Sequence, residues 1–518
     1  MSREFERILE SKRVLRKKLA EKPIAEKLHI VEELAERSLA TRKDDSTQLP
    51  ETPWAIPPTW RWSRMGDVAT IIGGGTPRTD RADFFGGEVP WITPADLSGY
   101  KAKTISRGAR NITETGLANS GARLMPADTI LFSSRAPIGY VAIAANPVAT
   151  NQGFKSFVLG DELLPDFVYY FLQRAKEFAV ALASGTTFLE ISGKNAARLP
   201  IPIPPLSEQR RIVAEIEKQF ARLEVGVTAL RRVQANLKRY RAAVLKSACE
   251  GRLVPIEAEF GKTGNRKSKF ETGEALLARI LIERRKNWQG RGSFVEPVAA
   301  DSNALQKLPD DWTWATVEQL SNVVRGASPR PAGDPRYFGG NVPWITVGPL
   351  TADNSPYLKS VSASLNELGR EHSRYIEPQT LLLTNSGATL GVPKITLFGG
   401  CINDGVAALL DVDYPLKLYM LYFLRTQTER LRGMNQGAAQ PNLNTTIIKA
   451  INVSLPPLAE QMRIVAEVER RLSVVDELET VVSENLQRAT RLRQSILQKA
   501  FMGKLIGESS PTINQHKG

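Results

Sequence analysis

Among its 518 residues the chain has two cysteines, Cys249 and Cys401, and three histidines, His29, His372 and His516. Two cysteines exclude a disulfide framework and a thiolate zinc site. Histidines this far apart in sequence offer no imidazole metal cluster. No apolar run approaches the roughly 18 residues of a membrane helix, and the charged first residues are unlike a signal peptide. A reducing, cytoplasmic setting is the expectation. Motifs that carry chemistry are scarce as well. Gly261-Lys262-Thr263 lacks the upstream glycine of a phosphate loop. No Gly-x-Gly-x-x-Gly opens a helix after a strand. The Pro-Pro pairs run on into Thr59, Leu206 and Leu458 rather than an aromatic residue, so the tetrad of amino-methyltransferases is missing. No Pro-Asp is followed at short range by Glu-x-Lys, as a metal-dependent nuclease would need. The chain is expected to do no chemistry itself and to hold no cofactor or metal.

What is present begins with charge. Lys and Arg number 69 against 55 Asp and Glu, a formal net charge of +14. Residues 206–296 hold 20 basic against 11 acidic side chains, whereas 297–457 balance at 13 each. A polyanionic partner and a solvated basic helix surface both account for such a segment.

The chain also repeats itself. Ile56-Pro-Pro-Thr-Trp-Arg-Trp62 returns as Leu308-Pro-Asp-Asp-Trp-Thr-Trp314, an offset of 252. Pro77-Arg78 matches Pro329-Arg330, and FFGGEVPWIT from Phe84 matches YFGGNVPWIT from Tyr337 after a one-residue insertion. Gly139 and Gly391, Asn151 and Asn403, Gly185 and Gly437, and Gly251 and Gly503 restore the offset. PPLSEQRRIVAEIE from Pro204 and PPLAEQMRIVAEVE from Pro456 agree at 11 of 14 positions. This is a duplicated unit, which suits a partner that is itself paired.

Each copy reads as a mixed α/β (α+β) globule followed by a long helix. Thr129–Phe132, Tyr140–Ala144, Leu381–Thr384 and Ile395–Leu397 are expected strands, and Asp166–Ala183 and Pro415–Arg432 expected helices. Beyond the double proline, Ile212, Ile216, Phe220, Leu223, Val227, Leu230, Val233, Leu237, Tyr240 and Val244 step by three or four. The second copy keeps Ile464, Val468, Leu472, Val475, Val482, Leu492 and Ile496. Polar Glu479 and Asn485 either interrupt its stripe or are bypassed by a face through Leu478 and Leu486. Ser207–Ala248 would span about 63 Å at 1.5 Å per residue. Two such helices, paired antiparallel, would hold the globules at fixed separation. The organisation is therefore residues 1–46, a helical extension; 47–205, a first globule; 206–300, a spacer helix and linker; 301–457, a second globule; and 458–518, a second spacer helix. The extension carries Ile8, Leu15, Leu19, Ile24, Leu28, Val31 and Leu34, broken by Pro23, and the linker carries a basic stretch from Lys262 and a helix from Glu274.

Two variable globules, each followed by PPLxEQxRIV and a long helix, resemble the specificity (S) subunit of type I restriction-modification enzymes. GGGTPR at Gly73, VPWIT at Val89, SSRAPIG at Ser133, TNQGF at Thr150 and AVLKSACEGRLV at Ala243 add to the likeness. The N-terminal extension departs from the family's simplest layout. The resemblance implies two target-recognition domains, each reading one half of a split, asymmetric site in double-stranded DNA. It implies spacer helices paired as an antiparallel coiled coil with pseudo-twofold symmetry, packed through Ile212, Ile216, Phe220, Leu223, Val227, Ile464, Val468, Leu472 and Val475. It further implies two methyltransferase subunits and two motor-nuclease subunits as partners, with S-adenosylmethionine, ATP and magnesium bound by those partners. A coiled-coil adaptor without DNA affinity, and a nuclease or methyltransferase with unfamiliar motifs, are the competing readings.

Base readout calls for Arg on guanine and Asn or Gln on adenine. The candidates in the first globule are Arg78, Ser133, Ser134, Arg135, Asn151, Gln152, Thr186, Thr187, Phe188 and Lys194. Those in the second are Arg330, Asn385, Ser386, Asn403, Asp404, Gln436, Gln440 and Asn442. Matched residues such as Asn151 and Asn403 equally suit turn-building. Residues that differ, Arg135 against Gly387-Ala388 and Phe188 against Gln440, are the ones expected to give the halves different specificities. Trp60, Trp62, Trp312, Trp314, Trp91 and Trp344 read as core anchors, and Gln209 and Gln461 as caps or helix contacts.

Overall fold

The computed structural model describes residues 53–185, 189–256, 259, 271–289, 292–387, 389–434 and 442–506. The extension 1–46, the basic stretch at Lys262, and the candidates Thr186, Thr187, Phe188, Ala388, Gln436 and Gln440 lie outside the described residues. Five described helices reach ten residues: α1 (Pro165–Arg174), α2 (Leu206–Cys249), α3 (Gly273–Lys286), α4 (Leu416–Gly433) and α5 (Leu458–Phe501). The described residues fall into two units. One runs up to Gly226 and resumes at Arg488; the other is Val227–Gln487. Both α2 and α5 therefore contribute to each unit.

In the first unit the strands that frame the site include β1 (Arg61–Arg64), β2 (Ala69–Gly73), β3 (Thr104–Ile105), β4 (Ile130–Phe132), β5 (Val141–Ala144), β6 (Lys155–Leu159) and β7 (Pro200–Ile203). Five of them form a sheet in the order β2-β6-β4-β5-β3. Side chains alternate across a strand, and β4 shows the consequence. Ile130 and Phe132 face a core with Phe157 and the α1 residues Phe167 and Phe171. Leu131 faces a second core with Ala142, Ala144 and Phe154. Antiparallel β1 and β7 bring the globule's entry beside its exit, pairing Arg61 with Ile203. Pro204 and Pro205 then lead into α2, prolines being tolerated in a first helical turn. The expected helix Asp166–Ala183 is divided into α1 and Lys176–Ala181, with Ala175 at φ −83°, ψ 7° between them.

The second unit has β8 (Thr313–Thr316), β9 (Asn322–Arg325), β10 (Tyr357–Leu358), β11 (Leu381–Thr384), β12 (Pro393–Thr396), β13 (Val406–Leu410) and β14 (Asn452–Leu455). Its five-stranded sheet runs β9-β13-β11-β12-β10, strand for strand the order of the first unit. The core joins Leu381, Leu383 and Leu409 to Tyr419, Met420, Phe423 and Leu424 of α4. Antiparallel β8 and β14 repeat the entry-to-exit pairing, Thr313 against Leu455.

Both long helices end against a globule. In the first unit Ile212, Ile216 and Phe220 share a core with Ile496, Leu497, Ala500 and Phe501. Trp54 Nε1 donates to Phe501 O at 2.8 Å. In the second unit Val244, Leu245, Ala248 and Cys249 share a core with Ile464, Val465, Val468 and Leu472. Ser454 Oγ donates to Cys249 O at 2.9 Å.

Most expected seam residues are buried; Leu223 and Val227 are half-buried. Val233 and Tyr240, however, are 42% and 46% exposed. Successive steps of three fall behind a 3.6-residue turn, so after Val227 and Leu230 the seam passes to Gln234, Leu237 and Arg241. On α5, Glu479 sits half-buried on the seam and Leu486 continues it, while Leu478, Asn485 and Leu492 face outward. Both readings of that stripe hold in part.

Candidate nucleic-acid interface

Three loops of the first unit converge, and glycine permits it. Gly75 N donates to Thr150 O at 2.9 Å, and Ser134 N to Gly153 O at 2.7 Å. A Cβ on Gly74 would fall 1.9 Å from Asn151 O, so any larger residue would push the loops apart. The GGGTPR, SSRAPIG and TNQGF segments thus meet at one place, joined by the segment around Glu190 through Ile191 N to Ser134 O at 3.1 Å.

Within this cluster the side chains divide between building and display. Ser133 is fully buried; its Oγ donates to Pro137 O and accepts from Tyr140 N, each at 2.7 Å. Asn151 Oδ1 accepts from Gly153 N at 2.9 Å, closing a turn of its own. Both are engaged in the scaffold. Gln152 is exposed and accepts from the Thr76 hydroxyl. Arg78, with 75% of its side chain exposed, forks onto Asp80; that hydrogen bond holds the Asp80 carboxyl below the usual carboxylate range. Lys194 is exposed on a short helix capped by Ser192. Glu190 accepts from Arg135, Lys155 and Ser134 at 3.4, 3.4 and 3.5 Å.

The second unit repeats the scaffold with different tips. A Cβ on Gly326 would fall 2.1 Å from Asn403 O, the same constraint as at Gly74. Asn385 N donates to Gly405 O at 2.9 Å. Ser328 Oγ donates to Asp404 at 2.6 Å, as Thr76 does to Gln152. Asp404 also takes Arg330 at 2.9 Å, where Arg78 takes its neighbour Asp80. Asn442 stands where Glu190 does and is bridged to Ser386. Ala407 replaces Lys155, so the charged cluster of the first unit has a neutral counterpart. Asn385 is fully buried, and among the described residues neither of its amide atoms has a hydrogen-bond partner; Asn403 Oδ1 has none either.

The structure therefore gathers Arg78, Ser133, Ser134, Arg135, Asn151 and Gln152 around one loop cluster, and Arg330, Asn385, Ser386, Asn403, Asp404 and Asn442 around its equivalent. Glu190 and Lys155 were missed as candidates. Lys155 directly follows the TNQGF motif, which is the signal that could have found it; Glu190 reaches the cluster only through the fold. Exposed arginines pre-oriented by carboxylates suit bidentate recognition of guanine or phosphate. Trp60, Trp91, Trp312 and Trp344 are buried, and Gln209 Nε2 donates to the carbonyls of Pro204 and Glu162. No group of three metal-ligating side chains occurs among the described residues, and no described helix is long and apolar enough to cross a membrane.

Comparison with known proteins bears on this arrangement. The type I restriction modification DNA specificity domain matches residues 57–228 and 309–488. The MjaIX specificity subunit of Methanocaldococcus jannaschii is 42% identical over 159 residues, 30% of this chain and 37% of that one. The match therefore spans little more than a third of that relative. The EcoBI specificity subunit of Escherichia coli is 23% identical over 466 residues, 88% of each chain. A chain solved in work on complex assembly of the type I R-M system superposes with a TM-score of 0.59 at 20% identity, covering 87% of this chain and all of that one. It shares the fold.

Proposed function

Since the chain belongs to the family of type I restriction-modification DNA specificity proteins, we propose that it reads a bipartite, asymmetric site in double-stranded DNA. In this reading residues 47–205 and 301–457 are the target-recognition domains, one for each half-site. As a specificity subunit it is not itself an enzyme. It directs an adenine methyltransferase and a motor-nuclease to the site, two copies of each. S-adenosylmethionine, ATP and magnesium belong to those partners.

The observation that carries the reading is the duplicated loop cluster. Gly74 and Gly326 hold the same crossing of loops, while the displayed side chains differ: Gln152 against Asp404, and Glu190 with Lys155 against Asn442 with Ala407. A common scaffold with unlike tips is what reading two unlike half-sites requires, because phosphate contacts alone carry no sequence information.

The helices α2 and α5 would set the gap, paired antiparallel with pseudo-twofold symmetry. The end of α2 at Cys249 lies beside Ser454, just ahead of α5, and Leu230 clusters with Leu486, which supports that direction. Val474, Leu478 and Val481 lie exposed along α5. Such an apolar stripe suits the seating of a partner's helices.

Sequencing of host DNA for modified adenines, with the gene intact and deleted, tests the proposal. A split motif that loses methylation on deletion supports it, and replacing residues 47–205 with those of a relative should then change one half only. A motif altered in both halves, or methylation indifferent to deletion, would overturn it. Binding of S-adenosylmethionine by the isolated chain would favour the enzyme reading, and duplex affinity unmoved by salt the adaptor.

A further inference from the structure

In the second unit a helix outside the duplicated core fills a groove. Gly273 N, at the start of α3, donates to Asp311 O at 2.7 Å. Leu276 is 2% exposed, and Ile280 packs against the same core. Arg284 Nη1 donates to Gln319 O at 2.8 Å. Thr316 and Gln319 in this region are 3% and 6% exposed.

Among the described residues the equivalent surface of the first unit is open. Thr59, Arg61, Asp161, Ile203 and Leu206 line a cavity of about 620 Å³. At the offset of 252 these are the counterparts of Asp311, Thr313, Asp413, Leu455 and Leu458, all of which lie beside α3. Arg64 and Asp67, the counterparts of buried Thr316 and Gln319, are exposed.

The same offset points to an occupant. It sets α3 on residues 21–34, which lie outside the described residues, and it sets Leu276 on Ile24 and Ile280 on Leu28. Pro23 falls on Ala275, in the first turn of α3, where proline is tolerated. Glu21 stands where α3 has Gly273, so the fit rests on Ile24 and Leu28 rather than on a close approach of the helix start.

We propose that residues 21–34 dock as a helix in the groove beside Ile203 and Leu206, so that each globule is clasped by the segment that precedes it. Ile24 and Leu28 take the places of Leu276 and Ile280. The groove meets α2 only at its first residue, Leu206, and leaves α5 and the DNA-facing loops untouched, so the clasp stands or falls apart from the recognition function.

Cross-linking of the full chain tests this. Leu28→Cys with Leu206→Cys, and separately Ile24→Cys with Thr59→Cys, are oxidised and the bridged peptides identified by mass spectrometry. Ile280→Cys with Leu458→Cys is the positive control. An intrachain bridge in either test pair is the expected result. A bridge only between two chains would make the occupant a second copy and overturn the proposal, as would no bridge where the control forms one. In parallel, Ile24→Asp with Leu28→Asp should speed hydrogen exchange of the Ile201, Ile203 and Leu206 amides about tenfold while α4 stays protected. Unchanged exchange there would also overturn it.

Discussion

Arg241 of α2 meets Glu479 of α5 at 3.1 Å, with 15% and 25% of their side chains exposed. Asp476 takes the same guanidinium. Its counterpart Arg493 finds Val227 at the position equivalent to Glu479 and keeps one carboxylate, Glu224, at that of Asp476; it lies over the Phe220 ring at 4.1 Å. One duplicated arginine thus makes an ion pair and the other a cation–π contact. Solvent screening limits the first, so an Arg241→Ala, Glu479→Ala double-mutant cycle should give a coupling of about 0.5–1 kcal/mol by urea unfolding. Arg493→Ala should cost about 0.5–1 kcal/mol, independent of salt. A coupling of zero would mean that Glu479 does not fix the seam.

Phe501 and Cys249 occupy equivalent ends of the two long helices and are not interchangeable. Phe501 is fully buried, with the Phe167 and Phe171 rings each 5.2 Å away. Cys249 shares its core with Tyr419, the counterpart of Phe167, whose hydroxyl donates to Ser454 O at 2.6 Å. Phe501→Ala should cost about 3–5 kcal/mol. Cys249→Phe should cost about 1–3 kcal/mol by overpacking. Equal, small losses in both unfolding experiments would show that the ends accept either side chain.

Gly74→Ala tests the loop crossing. Its Cβ would meet Asn151 O at 1.9 Å and Thr150 O at 2.5 Å, both backbone atoms that cannot rotate away. The loops must part. Loss of discrimination at one half-site is expected, with a lowered melting temperature as well, because Phe154, whose carbonyl accepts from Gly74 N, belongs to the second core of the unit. Gly326→Ala should do the same for the other half-site. Wild-type discrimination in both variants, read by competition binding, would count against the loops as readers.

The long helices and the duplication can be read from the chain because both are periodic: α2 was expected as Ser207–Ala248 and is Leu206–Cys249. The strands Ile130–Phe132 and Leu381–Thr384 could be placed from runs bounded by turn residues. The helix seam could be placed only in part. A list of apolar residues three or four apart does not say which steps are three, so Val233 and Tyr240 look like seam positions while Arg241 does not. The loop cluster was visible as motifs but not as a cluster. Contact between Gly74 and Asn151 depends on the antiparallel partnering of β2 with β6, which composition does not encode. Glu190 carries no motif and becomes visible only once the fold sets it against Lys155.

The two cysteines give a pH test. Burial pushes the Cys249 thiol up to about 12, and burial raises Cys401 as well. The charged form is the thiolate, so the folded chain resists ionisation where the unfolded chain does not. Stability from these groups is fully present below the unfolded thiol's range near pH 9 and declines as pH rises toward 12. Iodoacetamide should label neither thiol in the folded chain at pH 8, and both in urea. Labelling of Cys249 at pH 8 without denaturant would show that the α2 end is not packed as described.

The sharpest test of recognition concerns Glu190, which holds Arg135 and Lys155 at 3.4 Å each. Removing the carboxylate frees two cations at the edge of the loop cluster without touching the scaffold glycines. Two outcomes separate positioning from mere charge. If Glu190 aims Arg135 at a base, Glu190→Gln should weaken preference at one base pair by about 1–3 kcal/mol. If the cluster only meets phosphates, the same change should strengthen binding to all sequences and steepen the salt dependence by about one counterion. Arg135→Lys resolves the two further: a point charge still serves a phosphate, but it cannot replace a fork on guanine. Asn442, the neutral counterpart of Glu190, predicts that neither substitution alters the half-site read by the second globule. A change in that half-site's preference would mean the globules do not read independently.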